Sequence, residues 1–415
     1  MLYQLTLSTV NIQARVVETR ASEIVAEHVF PLTRRASGQA SRLGSLGIAP
    51  LSILGGGVGF SCPITLGTTF DLIVDTGSSD TWVASTTFAC RDPRTGEPAD
   101  QSACAFGPLY DRQDFQEIPD QNFQISYGDG SSVSGVMGYA QVTLGGIQVN
   151  SEIAAVNQAR LWRGDHQSSG LFGLSYSGLT SAFNGTDLMQ DSGRTRINYD
   201  PIFATMYKAG KLKDNVFSLA IERGHVNQQA GVLALGGLPH VHTTKPYVTT
   251  PIVKTNYTLE RVMDKNVDPT YQFYSIQPDA YIYGLGNSTS NSTLTTEPAQ
   301  TLAIVDSGTT LNYLPAQIAR AVAAAFDPPG IFLFRESVVL CDAVAPKFGI
   351  KIQDQVFYLN PKDMIFKDES TGRCYMSIVA THRGLNILGD AFMKNVIAVF
   401  DVGKGEMRFA EHIYK

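Results

Sequence analysis

A mostly β chain of two or three domains is the fold class that this sequence predicts, and three observations predict it. Its 415 residues exceed what one small core holds. Short runs rich in Val, Ile and Thr recur along the length, bounded by Gly, Asn and Ser clusters, in a composition with 38 Gly, 17 Tyr and 21 Phe. Helical periodicity is confined to two short stretches, YDPIFATMYKAGKL at 199–212 and PAQIARAVAAAF at 315–326.

Composition narrows the function classes. With 43% hydrophobic and 17% charged residues the chain is globular. No apolar run approaches the roughly eighteen residues a membrane span needs, so a soluble protein with no membrane span is expected. The net charge of −6, with no basic stripe interleaved with aromatics, argues against a nucleic-acid partner. That charge is unevenly placed. Residues 51–207 hold seven Arg, no Lys and sixteen acidic residues, a net −9, whereas residues 1–50 carry +2.

Taken in order, the elements begin with a leader, residues 1–50. Its opening MLYQLTLSTVNIQARVVETR has neither a basic start nor a sustained apolar core, so it does not read as a signal peptide. LGGGVG at 54–59 lacks the following helix that a phosphate-binding loop requires. FSCPITLG at 60–67 reads as a strand, although Pro63 has no N–H and belongs only at an edge or a start. FDLIVDTGSSDTWVAS at 70–85 is a strand delivering Asp75 into a turn of Thr, Gly and Ser. Cys90 and Cys104 then bracket a polar loop, and Cys341 and Cys374 bracket a segment of the second half. These two pairs are the expected disulfides, with Cys62 left over. His240 and His242 have no third ligand nearby, so no metal site is expected. Ser78 and Ser79 likewise have no His placed by a recognisable motif, which disfavours a serine nucleophile.

One pattern is written twice. QTLAIVDSGTTLNYLP at 300–315 repeats the grammar of 70–85: apolar β-formers, Asp306, a small hydroxylated residue, Gly308, another hydroxyl, then apolar residues again. GLFGLSY places an apolar pair and Gly173 98 residues after Asp75, and NILGDAF places the same pattern at Gly389, 83 residues after Asp306. Two similar lobes about a pseudo-twofold axis would bring the two Asp together. Carboxylates about 3 Å apart cannot both ionise, so they share a proton and titrate as a pair. One can then act as general base toward a water and the other as general acid toward a carbonyl, with neither a metal nor a covalent nucleophile.

From about residue 58 onward the chain resembles the pepsin-family aspartic proteases. VDTGSSDTWV and VDSGTT are similar to that family's two active-site motifs, and ISYGDGSSVSG at 125–135 to its flap, a hairpin that closes over substrate. The resemblance implies a bilobal pepsin-like β fold with the cleft between the lobes, and an endopeptidase acting at acid pH without a cofactor. It implies Asp75 and Asp306 as the catalytic pair, Thr76 and Ser307 as hydroxyls bracing the two turns, and Ser78 and Thr309 as donors to the outer carboxylate oxygens. Gly77 and Gly308 are the turn glycines. Tyr127 matches the flap tyrosine, Trp82 the indole that holds its hydroxyl, Gly128 and Asp129 the flap tip, and Ile73 and Leu171 the substrate pocket, where Phe172 adds to the apolar lining. Binding proteins that share such a fold without catalysis would be expected to lose an Asp, a turn Gly or the flap tyrosine. All five residues are present here.

The remaining expectations concern organisation. Residues 1–50 read as a leader and propeptide, with HVFPLTRR at 28–35 similar to the family's inhibitory opening strand, followed by lobes at 51–238 and 239–415. The partners expected are an extended protein or peptide substrate and the chain's own propeptide, with a monomer as the default state. Sequons at Asn184, Asn256, Asn287 and Asn291, with the paired cysteines, point to a secreted or a vacuolar or lysosomal glycoprotein.

Overall fold

The computed structural model describes residues 48–50, 52–54 and 59–412, apart from 162–163, 224–230, 240, 242, 244, 258–267, 286–293, 334, 369–370 and 382–384. The leader motif at 28–35, His240, His242, Asn287 and Asn291 therefore lie outside the described residues.

The duplication seen in the sequence is a duplication of strand order. In the first half, Thr68–Asp75 runs parallel to Gly170–Gly173, with Asp75 beside Gly173. Gly170–Gly173 pairs antiparallel with Trp82–Arg91, the strand leaving the Asp turn, and that strand runs parallel to Ile147–Arg160. In the second half, Ala303–Val305 runs parallel to Asn386–Leu388, which pairs antiparallel with Asn312–Leu314, itself parallel to Ile378–Ala380. Each Asp-bearing strand also has an antiparallel outer neighbour, Gly59–Leu66 in one case and Ser275–Ile276 in the other. Five strands thus recur in one order and one set of directions. The rest of the first half extends this unit into an eleven-stranded sheet, whereas the second half adds two four-stranded sheets.

A six-stranded sheet joins the halves. Its order is Ile48–Pro50, Gly231–Leu235, Val216–Ile221, Val396–Asp401, Glu406–Glu411 and Val248–Pro251, so strands from the middle of the chain lie against its last strands. Residues 216–221, 231–235 and 396–401 are buried throughout, which is why they read as nearly continuous apolar runs, interrupted by the buried Ser218 and ended by Asp401, and not as alternation. At the seam Phe217 stacks on Phe400, ring centroids 4.5 Å apart, and Tyr274 meets Phe400 edge-on. The main hydrophobic core is continuous across both halves, and a satellite cluster around Trp82, Phe88, Phe123 and Leu171 lies beneath the flap hairpin.

Both periodic stretches form helices. Ile202–Lys208 begins after Pro201 and buries Ile202, Phe203 and Met206. It ends on Gly210 at φ +68°, where Gly210 N–H reaches Tyr207 O and Lys211 N–H reaches Met206 O, the paired bonds of a left-handed glycine cap. Ala316–Ala324 begins after Pro315 and buries the stripe Ile318, Ala319, Val322 and Ala323. None of the described helices is long and apolar enough to cross a membrane.

Pro63 sits in the strand Gly59–Leu66, opposite Asp71, at an edge position of the kind the sequence reading requires. The reason is a gap on the strand's other side. There Ser52–Leu54 pairs only with residues 59–61, and Ser132–Leu144 joins only at Ile64 and Thr65. Residue 63 falls between these neighbours, at a local edge where a missing N–H is tolerated.

Candidate active site

Two turns meet where the repeated strands end. Gly77 N–H donates to Asp75 Oδ1 at 2.7 Å and Ser78 Oγ to Oδ2 at 2.5 Å; Gly308 N–H donates to Asp306 Oδ1 at 2.9 Å and Thr309 Oγ1 to Oδ2 at 2.6 Å. Each carboxyl is therefore gripped in the same way by its own turn. Thr76 Oγ1 donates to Val305 O (2.9 Å) and accepts from Ser307 N–H (3.0 Å), while Ser307 Oγ donates to Val74 O (2.8 Å) and accepts from Thr76 N–H (3.2 Å). These four buried bonds tie each turn to the other half of the chain.

Closeness explains the glycines. A Cβ on Gly77 would lie 2.5 Å from Asp306 Cγ, and one on Gly308 would lie 2.4 Å from Asp75 Oδ1. A side chain at either position would occupy the opposite carboxyl. Behind the turns, a Cβ on Gly173 would strike the backbone of Ser79 at 2.4 Å, and one on Gly389 the carbonyl of Thr309 at 2.3 Å. Hence the apolar pair in each half ends on glycine.

Asp75 and Asp306 are 6% and 7% exposed, and the Asp306 charge acts directly on the Asp75 carboxyl. Burial raises the Asp75 carboxyl well above the usual carboxylate range, and the neighbouring Asp306 charge adds to the rise. The bonds from Ser78 and Gly77 pull the other way.

Over this pair arches the hairpin of Gln116–Ser126 and Ser132–Leu144. Its turn is closed by Tyr127 N–H to Ser131 O (2.8 Å) and by Asp129, whose carboxylate accepts from Ser131 N–H and Oγ. Gly128 and Asp129 stand exposed at the tip, while Tyr127 is half-buried and its hydroxyl accepts from Trp82 Nε1–H at 2.7 Å. Ile73 and Leu171 are register partners beneath it, both packed in the satellite cluster with Tyr127. Phe172 is corrected. One step along the strand it points to the opposite face and is wholly buried in the main core, away from the cleft.

Other singled-out residues stand away from the cleft. Cys90–Cys104 and Cys341–Cys374 are disulfides with Cα–Cα distances of 5.8 and 5.2 Å, and Cys62 is a buried thiol of the main core. Asn184 is exposed and Asn256 half-buried.

Sequence reasoning overlooked three groups near the site. Asp80, fully buried, accepts from Tyr199 Oη (2.7 Å) and Ser181 N–H (2.8 Å), and burial outweighs those bonds to push its carboxyl up to about 6. Tyr199 lies 119 residues away, a partnership no local pattern announces. Asp390 is also fully buried; burial pushes its carboxyl far up, Lys394 opposes this, and the Asp306 and Asp75 charges reinforce it. A signal for Asp390 existed, because the first repeat carries Leu174 at the matching position after its glycine.

A family model described as eukaryotic aspartyl protease matches residues 59–412. A probable aspartic-type endopeptidase of Aspergillus fumigatus is 41% identical over 376 residues, covering 88% of this chain and 81% of its own. Rhizopuspepsin of Rhizopus chinensis is 26% identical, covering 88% and 81%, and secreted aspartic protease 8 of Candida albicans is 25% identical, covering 89% and 79%.

Proposed function

The chain belongs to the eukaryotic aspartyl proteases and is an aspartic-type endopeptidase, and from that premise we propose that Asp75 and Asp306 form its single acid–base unit. The observation that carries this reading is the reciprocal closeness of the two turns, each glycine lying where a Cβ would strike the other turn's carboxyl. Sharing one proton, the pair activates a water held between the carboxyls. The ionised member takes a proton from that water as its oxygen attacks the scissile carbonyl carbon, and the protonated member donates to the carbonyl oxygen. Collapse of the tetrahedral diol then breaks the C–N bond, with a proton delivered to the leaving nitrogen. Ser78 and Thr309 fix the outer oxygens, so neither carboxyl rotates away. Tyr127, held by Trp82, brings the flap over an extended substrate, whose backbone pairs with the exposed tip at Gly128 and Asp129. Ile73 and Leu171 offer an apolar surface to a large hydrophobic residue beside the scissile bond.

This mechanism requires acid. Activity should peak on the acid side and fade toward neutrality as the shared proton is lost. Asp75→Asn and Asp306→Asn should each remove at least about 99% of turnover, within the 10² to 10⁴-fold contribution of general acid–base groups. Purified variants of unchanged circular dichroism that keep more than about 1% of turnover would refute the dyad.

The same reading extends to organisation. Lobes at 51–238 and 239–415 flank the cleft, and residues 1–50 act as a propeptide whose +2 charge holds it on the −9 first half until acid weakens the attraction. A mature N-terminus between Arg35 and Pro50 is expected. Export to an oxidising compartment is supported by the two disulfides and by the exposed sequon at Asn184.

A further inference from the structure

Beside the paired carboxyls, the wall formed by Gly77 and Ser78 opens into a cavity of about 220 Å³ running under the flap strand. Ile125, Leu179, Phe183 and Phe273 give it apolar sides, and Arg196 and Asp191 bring charge to it. These two residues do not present themselves equally. Asp191 Oδ1 accepts from Asn122 Nδ2 at 3.0 Å, and its Oδ2 is shut off from solvent. Arg196 lies opposite Phe183 and is pinned by its Nε–H, which donates to Thr180 O at 2.5 Å. Among the described residues it has no other hydrogen bond and no ion pair within 4 Å, so its terminal nitrogens remain available to the cavity.

Burial lowers the hold of the Arg196 guanidinium on its proton and the Asp80 charge opposes this, but an arginine stays charged at acid pH. Asp80 acts on it through space, and both Asp80 and Asp191 are shifted by burial toward their neutral forms in acid. At pH about 5 Asp80 is neutral, and the cavity has one apolar side, of Leu179, Phe183 and Phe273, with the Arg196 cation at its end.

We propose that Arg196 makes this cavity a subsite for a substrate residue carrying a carboxylate on an aliphatic stem, glutamate above all, within two residues of the scissile bond. The stem packs on Leu179, Phe183 and Phe273, and the carboxylate takes the free donors of the guanidinium, the planar pairing for which arginine is suited. The proposal rests on the endopeptidase reading and adds a determinant of which bonds are cut.

The test uses the activated full chain at pH about 5. Cleavage sites in a peptide mixture are mapped by mass spectrometry, and kcat/KM is then measured for matched peptides with Glu, Gln or Lys at the enriched position. Wild type should favour Glu by about tenfold, a typical worth for one charge-assisted bond. Arg196→Gln should bring the ratio to about one, Arg196→Lys should restore part of it, and Arg196→Glu should turn the preference toward Lys. Equal rates on the two peptides in the wild type, or a Glu preference that survives Arg196→Gln, would overturn the proposal. The wild-type ratio decides even where a variant does not fold. Cleavage of the Gln peptide that is abolished by Asp306→Asn keeps the endopeptidase reading standing in either case, whereas failure of the wild type to cut any peptide would sink that reading itself.

Discussion

Replacing Asp80 by Asn should change how stability depends on pH. In the folded chain the Asp80 carboxyl is fully buried, bonded through Oδ1 to Tyr199 and Ser181, and titrates near 6 where an ordinary aspartate titrates at 3.8. Its folded pKa is raised, so its contribution to stability is complete below 3.8 and is lost as pH rises through about 6. At about 1.4 kcal/mol per pH unit, the loss amounts to about 3 kcal/mol, with no solvent exposure to erode it. Asn keeps the shape and the Oδ1 acceptor but cannot ionise. The stability of Asp80→Asn relative to wild type should therefore rise by about 3 kcal/mol between pH 3.5 and 7, on top of a pH-independent offset for burying an amide N–H₂. Urea unfolding followed by tryptophan fluorescence reads this directly, in an Asp306→Asn background that prevents the unfolded chain from being digested. With a slope of about 3 kcal/mol per molar urea, the relative midpoint moves by about 1 M. A difference between the two proteins that stays flat across this range would refute the reasoning.

Three further outcomes follow from the geometry. Thr76→Val keeps the shape but leaves Val305 O and Ser307 N–H without their hydroxyl partner, so it should destabilise by about 2–4 kcal/mol in the same urea assay. Gly308→Ala forces a methyl group to within 2.4 Å of Asp75 Oδ1 and should lower kcat by at least about 100-fold, whereas Gly193→Ala, which meets open space, should leave it unchanged. Removing Cys90–Cys104, whose ends are 14 residues apart, as a double Cys→Ala variant should lower stability by about 3 kcal/mol, and non-reducing peptide mapping of the wild type should recover Cys62 as a free thiol.

How much of the site was legible in sequence follows from how local its parts are. Asp75, Thr76, Gly77 and Ser78 are consecutive because one turn supplies a carboxyl, its backbone donor, its hydroxyl donor and the brace to the other half. A second turn must do the same, so the pattern appears twice and stands out from ordinary turns. The flap tyrosine was also readable, since its hairpin is one contiguous segment. Asp80 was not, although it lies in the same stretch, because its meaning depends on Tyr199 and Ser181 folding over it. Arg196 gave no signal at all, being one of seven arginines in an acidic stretch until strand pairing set it at the cavity. Phe172 was misplaced because an apolar run names no face, and only the register sends Leu171 toward the cleft and Phe172 into the core.

The six-stranded sheet makes enzyme formation wait for the synthesis of residues 396–411. A ribosome releases the first Asp turn, the flap and the strand Val216–Ile221 long before it makes Val396–Asp401, the strand that must lie alongside Val216–Ile221. Asn386–Leu388, whose Leu388 O accepts from Asp306 N–H, emerges equally late. A nascent chain therefore carries its first carboxyl for most of its synthesis with neither the opposing turn nor the common floor in place. It becomes a complete cutting edge only once residues 386–401 are out, when the opposing turn and the common floor can both close on the first half.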